Sequence, residues 1–502
     1  MARKSFIVNA GFYTSASFLS VVASLISFPI LTRLFEVGEY GLLGLVTGTI
    51  PLLVGIGKIG MQHASIRFYS DVNSTKTNWN MAEYFSTLYL TLLLSAGLLF
   101  LVWNVLVMTI GETIFENQLI CVLFVISSYI VFVRILESAM LNVLRAQEEA
   151  LKHTIFGVTK RFLVLGVTLC VLFFYKADLV PYFIAVAATE AVMLVIFAYR
   201  HIPFKKIRIA NFRPKLVKAM VVFGVPMFGM EFGGALMNVA DRYIIDAYLG
   251  HEAVGAYTSA YTLVDYGQGI VATALIASAI PTFLRINTDD GLDAASIFVT
   301  GALRLYIWAA VPIVLILAAA GESILELLAG EAYTAGAVIM PWVALGIAFF
   351  GVFELVAAGL YLTGNTGKMF YIILMTAVAN IVLNMICVPK YGLIGAAGTT
   401  LVCYLGCIAA SYFWSRRYLR IAVPWQSLLK SIAAGMLMFL VLSAWSPKEL
   451  FLEIAYKGSL GLILYILLLL LFDRDAKKML LRALPDRATR LAKQKVWARA
   501  GA

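Results

Sequence analysis

Charge is what this chain has least of. Only 13% of its 502 residues are Asp, Glu, Lys or Arg, against 62% apolar ones, where a soluble protein carries nearer a quarter charged. With a mean hydropathy of +0.90, its surface is not built for water. Histidine is scarce too: residues 63, 153, 201 and 251 lie scattered near the ends of apolar runs without metal-ligand spacing, so no metal centre and no catalytic histidine is read from them. The five cysteines (Cys121, Cys170, Cys387, Cys403, Cys407) all fall inside apolar runs and read as buried small hydrophobes, not disulfides or ligands. The stretch "GNTGKM" (364–369) lacks the first glycine spacing and the closing Ser/Thr of a phosphate loop, so no ATPase is inferred.

What the chain does have is apolar runs of the roughly 20 residues that cross a bilayer. Fourteen are found, near 6–31, 41–63, 84–109, 119–144, 155–175, 179–199, 217–247, 256–284, 295–320, 336–362, 369–388, 392–415, 428–445 and 452–472. The basic start resembles a secretory signal, but its apolar part outruns the roughly 7–15 residues of a signal core and reads as a retained first span. With the N-terminus in the cytoplasm, Arg33, Lys176, Lys390, Lys448 and Lys457 fall outside, and Lys58, Arg134 and Arg242 fall within spans. The rest of the 39 Lys and Arg residues are allotted to the cytoplasmic side, as the positive-inside rule expects. Both termini are then cytoplasmic. The net charge of +11 follows from topology and from contact with anionic membrane lipids, and needs no nucleic-acid partner. It is densest in "RHIPFKKIRIANFRPKLVK" (200–218) and in the tail.

Position 200 divides the first twelve spans into six and six. The second span opens with "EYGLLGL" (39–45), the eighth with "AVGAYTS" (253–259) and the twelfth with "KYGLIGA" (390–396), each after an outside turn where glycine permits close helix approach. Two halves of even span number share one orientation and form parallel repeats, which place a substrate path between them. The organisation read from this is a six-helix lobe at 1–200, an inter-lobe loop at 201–216, a second six-helix lobe at 217–415, two extra helices at 416–472 and a basic cytoplasmic tail at 473–502. Chance likeness among glycine-rich helix starts is the competing account of the echo.

Ionised groups inside a bilayer are costly and stay only when paired, watered or useful. Lys58 lies deep in the second span with no acid within four residues, and Arg67 follows near the cytoplasmic end. Arg134 and Glu137 stand three apart on one helix face, where they can pair. Glu190, Glu231, Asp265 and Glu354 are single acids in the sixth, seventh, eighth and tenth spans, and Asp241-Arg242 closes the seventh. Lys58, Arg67, Arg134 and Arg242 are the candidate substrate ligands, since a cationic cavity suits a diphosphate. Glu137, Glu190, Glu231, Asp241, Asp265 and Glu354 are candidate coupling or pairing acids. A purely structural pairing is the alternative for each, above all for Arg134–Glu137 and Asp241–Arg242.

"LTRLFEVGEYGLLGLV", "DRYIIDAYLGHEAVGAYTSAYTLV" and "VPKYGLIGAAGTTLVCY" resemble oligosaccharide flippases of the Wzx type, within the multidrug/oligosaccharidyl-lipid/polysaccharide (MOP) exporter superfamily. The resemblance implies an all-α membrane protein of about fourteen transmembrane helices: two six-helix lobes around a central cavity, alternating access, and two C-terminal helices. It implies no cofactor, no enzymatic activity, and a place in the bacterial cytoplasmic membrane. The implied substrate is an oligosaccharide on a polyprenyl diphosphate, turned from the cytoplasmic to the outer leaflet for cell-surface polysaccharide. Na⁺ or H⁺ and polysaccharide assembly proteins are further implied partners. A lipid II flippase and a cation-coupled drug antiporter are the near alternatives; the first two spans lack the acids such antiporters commonly use. A membrane sugar polymerase is the enzymatic alternative, and the short outside loops disfavour it.

Overall fold

The computed structural model describes residues 2–483 except 75, 116, 365, 446 and 448. The expected basic tail therefore lies outside the described residues from 484 onward. Every regular element among the described residues is helical. The first half contains α1 (Ala2–Leu34), α2 (Val37–Lys58), α3 (Met61–Asn73), α4 (Met81–Phe115), α5 (Gln118–Ala146), α6 (Ala150–Phe174) and α7 (Leu179–His201). After a strap with two 3-10 turns, Phe204–Lys206 and Ile209–Asn211, come α8 (Pro214–Leu249), α9 (His251–Asp290) and α10 (Leu292–Ala329). A 3-10 stretch (Glu331–Ile339) leads into α11 (Met340–Val356), α12 (Ala358–Leu362) and α13 (Thr366–Ser415). The chain closes with α14 (Trp425–Ser443), α15 (Leu450–Ala455), a π turn (Tyr456–Leu460), α16 (Gly461–Phe472) and α17 (Arg474–Ala483).

Among the described residues ten helices are long and apolar enough to cross a membrane, or eleven when the two parts of α8, bent by 43°, count as one span. The chain is a multi-pass membrane protein. α13 carries two of the expected spans end to end, broken at Gly392, whose φ of 60° is outside the helical range. The expected span 41–63 is not continuous. Ile59 (φ 49°) and Gly60 (φ 73°) both take the left-handed conformation and end α2 at Lys58. For a β-branched residue such a φ is an outlier, so the break is held by its surroundings. Lys58 therefore stands at the carbonyl end of a helix rather than in the middle of one.

Some of the basic residues sit elsewhere than the charge count placed them. Lys160 and Arg161, allotted to the cytoplasmic side, lie about three turns into α6. Lys457, allotted to an outside loop, is buried in the π turn, where its ammonium bonds to the Ala319 carbonyl oxygen and to Glu453.

In the first half α5 packs on α2, α4 and α7, and α6 on α1 and α7; in the second half α13 packs on α8 and α11, and α10 on α9, α11 and α14. α2 joins the two halves, lying against both α8 and α9. At the end of the bundle away from the strap, a Cβ on Gly41 would stand 2.1 Å from the His251 carbonyl oxygen, and one on Gly255 would stand 1.9 Å from that of Val37. Here the starts of α2 and α9 touch backbone to backbone. Arg33 Nη2 donates to Leu327 O (2.9 Å) and Tyr333 Oη to Phe35 O (3.1 Å) across the same seam. Nearer the strap, a Cβ on Gly224 of α8 would meet Gly60 O at 2.1 Å.

The strap itself is fastened down. Ser86 and Thr87, both fully buried near the start of α4, accept the backbone N–H groups of Arg208 (3.0 Å) and Arg213 (3.1 Å). Ser86 also donates to Lys206 O at 3.1 Å. Arg213 Nε donates to Glu83 at 2.6 Å.

Candidate functional site

Arg134 and Glu137 lie one turn apart on α5 but do not pair with each other, contrary to their spacing. Each reaches a different helix. The Arg134 guanidinium grips Glu190 of α7 with Nε and Nη2 at 2.9 and 2.8 Å, a forked geometry that fixes both groups. Glu137 accepts from the Lys160 ammonium of α6, 2.8 Å from both of its oxygens. Lys160 also approaches Glu190 at 3.8 Å, closing a chain of alternating charge. The next residue, Arg161, donates to Ser24 Oγ of α1 at 2.5 Å. The Glu190 side chain is 3% exposed and that of Arg134 34%, so the acid is sealed in while the Arg134 side chain is partly exposed.

Lys58 completes this group from α2. It is half-buried, has no hydrogen-bond or ion-pair partner among the described residues, and lies within electrostatic range of Glu231, Glu137, Arg134 and Arg145. The carbonyl end of a helix is a favourable place for a cation. Lys58, Arg134, Lys160 and Arg161 thus gather around Glu137 and Glu190 inside the bundle, with Glu231 also in range of Lys58. Sequence spacing missed Lys160 and Arg161. The available signal was "GVTKRFL" six residues inside an expected span.

The Asp241-Arg242 pair also separates. Asp241 is buried among Asn384 Nδ2 (2.6 Å), Thr400 Oγ1 (3.0 Å) and Tyr257 Oη (3.1 Å), with Asn380 bonding both Asn384 and Thr400. Adjacent residues on a helix point about 100° apart, and Arg242 accordingly turns to the first half. Its Nη1 donates to Gly44 O of α2 at 2.9 Å, beside a Thr49–Tyr243 hydroxyl bond of 2.7 Å. Arg242 is a bolt between the halves. The buried Asn384 Oδ1 atom has no hydrogen-bond partner among the described residues. The Asp241 carboxylate and the Thr400 and Tyr257 hydroxyls form a set of hard oxygen atoms suited to a proton or a small hard cation.

The remaining candidates make their own contacts, although Glu231 stays within electrostatic range of Lys58. Glu231 of α8 accepts from Gln62 Nε2 of α3 at 3.0 Å and lies 3.0 Å from His63 Nε2. Arg67 lies over the Phe223 ring at 4.4 Å and only loosely near Asp71 at 3.8 Å. Both are links between α3 and α8 near the Gly60–Gly224 contact. Asp265 of α9 is exposed, with no hydrogen-bond partner among the described residues. Glu354 of α11 accepts from Tyr361 Oη at 2.7 Å.

Comparison with known proteins places this architecture. A family model described as polysaccharide biosynthesis protein matches residues 6–287, more than half of the chain. The chain belongs to this polysaccharide biosynthesis protein family. Within the curated proteins, the capsular polysaccharide biosynthesis protein CapF of Staphylococcus aureus is 24% identical over 206 residues. That match takes in 40% of this chain and spans half the length of the relative. Among solved structures, the lipid II flippase MurJ in an inward closed conformation superposes with a TM-score of 0.78 at 15% identity, over 92% of this chain and 99% of that one. A multidrug resistance MATE transporter of the MOP superfamily, facing inward, gives a TM-score of 0.61 at 14% identity, over 79% and 97%. An outward-facing MATE structure gives 0.56 at 13% identity, over 82% and 95%. At such identities the likeness shows the fold: this family member has the all-helical architecture of MOP transporters.

Proposed function

We propose that this polysaccharide biosynthesis family member is a flippase that turns a polyprenyl-diphosphate-linked oligosaccharide from the cytoplasmic to the outer leaflet by alternating access. The observation that carries this is the cluster of four cations, Lys58, Arg134, Lys160 and Arg161, around Glu137 and Glu190, with Glu231 also in range of Lys58. An excess of cation at that depth is costly without a counter-ion, and a diphosphate supplies two negative charges. Arg134, whose Nε and Nη2 hold Glu190, has Nη1 left for a phosphate oxygen, while Lys58 offers a point charge. The family match and the fold support the reading.

In this reading the lobes are residues 1–200 and 217–415, the strap and both termini face the cytoplasm, and residues 110–118 and 321–335 face outside. Arg242 is a bolt of the outer seam rather than a first contact for the cargo, and Arg67 belongs to the inner seam. The oxygen-rich pocket at Asp241 serves a coupling H⁺ or Na⁺, with Asn384 Oδ1 turned toward the bound ion.

Flux of lipid-linked oligosaccharide in proteoliposomes tests the proposal. Lys58→Ala is expected to abolish flux at normal expression, and Lys58→Arg to keep part of it. Full flux in the alanine variant would remove Lys58 from the site, and absence of flux for every lipid-linked glycan would remove the flippase reading.

A further inference from the structure

The two acids of the cationic cluster are held unequally, and the difference has a chemical consequence if that cluster is the diphosphate site proposed above. Glu190 keeps both bonds of the Arg134 fork, with Lys160 as a more distant second cation at 3.8 Å. Glu137 has a single donor: its two oxygens share the one Lys160 ammonium at 2.8 Å, and no other donor reaches its carboxylate among the described residues. Both acids are buried, Glu137 at 7% and Glu190 at 2% of the whole residue exposed.

The charged groups facing Glu137 are Arg134 on its own helix, Lys160 from α6, Glu190 from α7 and Lys58 from α2. Further along α5, Arg145 Nε bonds His153 of α6 at 3.0 Å. From α3, which also packs on α5, His63 is engaged by Glu231 and Arg67 leans on Phe223. Of these groups only Lys160 donates to the Glu137 carboxylate in this structure.

A phosphate oxygen arriving at the cluster competes for the Lys160 ammonium. Two of the three ammonium N–H groups lie on Glu137, so a phosphate that draws the ammonium toward itself takes those bonds from Glu137. Glu137 is then a buried carboxylate without its partner, beside Glu190 and an incoming anion. Such a group is far more costly than its neutral acid, and takes up a proton in preference to staying charged.

We propose that Glu137 is a proton-accepting positioning residue: engagement of a diphosphate by Lys160 loads one proton from water onto the Glu137 carboxylate, and departure of the diphosphate returns it. The ammonium exchanges a carboxylate oxygen for a phosphate oxygen, one O–H bond forms on Glu137, and no other co-reactant is needed. Because the bound state holds one more proton than the free state, affinity rises as pH falls. Kd increases about tenfold per pH unit wherever the full proton is taken up.

The test uses the purified full chain and geranyl diphosphate N-acetylglucosamine, whose two phosphates are both esterified and carry no proton that titrates near neutrality. Calorimetry in buffers of different ionisation heat counts the protons taken up on binding. Wild type is expected to take up about one, Glu137→Gln about none while binding at a pH-independent affinity, and Glu137→Asp to restore the uptake. Equal proton counts in wild type and Glu137→Gln would overturn the proposal. If the glutamine variant fails to fold, the wild-type slope of log Kd against pH decides: a rise supports it and a flat line overturns it. Absence of any binding in wild type would instead strike the diphosphate reading of the cluster, and this proposal with it.

Discussion

Replacing one hydrogen atom at either end of the seam between the halves should push the transporter in opposite directions. A Cβ at Gly224 would lie 2.1 Å from Gly60 O, where ordinary contact begins near 3.4 Å, so α8 must retreat on the order of 1 Å. Gly224 lies in α8 without a positive φ, so alanine carries no backbone strain there and favours the helix itself by about 0.5–1 kcal/mol. Overpacking of this kind costs about 1–3 kcal/mol, charged only to the state in which the contact is closed. That shifts the closed-to-open ratio about 5- to 150-fold. Gly255→Ala, with Val37 O at 1.9 Å, should do the same at the other end. Asn238→Cys in a background free of the five native cysteines gives the readout, since Asn238 is exposed beside Tyr261 and the Arg242 bolt. In oriented vesicles Gly224→Ala should raise its labelling by impermeant reagent from the cytoplasmic side, and Gly255→Ala from the outer side. Labelling that moves in the same direction in both variants, or in neither, refutes the two-seam reasoning.

The oxygen-rich pocket yields a second expectation. Asp241→Asn should leave binding of the lipid-linked cargo intact while removing any stimulation of flux by Na⁺ or by a pH gradient, and an unchanged ion response would exclude the pocket from coupling. Orientation is tested by single cysteines: position 208 should label only from the cytoplasmic side and position 113 only from outside. Labelling of position 208 from outside would invert or break the proposed topology.

The sequence made the helical class legible because bilayer-length apolar runs are a one-dimensional signal. It also located the glycine echo: "EYGLLGL" and "AVGAYTS" turn out to start α2 and α9, the helices whose Gly41 and Gly255 touch. Partners across helices were not legible. Spacing alone offered Glu137 to Arg134, while the fold brings Glu190 from 56 residues away. Asp241 and Arg242 are neighbours in the chain, yet the helix turn sends them to opposite halves. Lys160 was hidden by the charge rule itself, which assigns a basic residue near a span end to the water outside it. The break at Ile59 left no composition signal either, because its left-handed backbone is imposed by packing rather than by the residue.

The fastened strap sets how the second half can move. Arg213, the residue before α8, is held by its N–H on Thr87 and its guanidinium on Glu83, so the first turn of α8 is tethered to α4 and cannot translate away. What remains is rotation about that tether. α8 is 36 residues long, a lever of about 54 Å at 1.5 Å per residue, so a tilt of about 5° would carry its far tip about 5 Å. Small rearrangements beside the strap would thus be geared up into an aperture at the opposite surface, and the 43° bend is where the lever can flex.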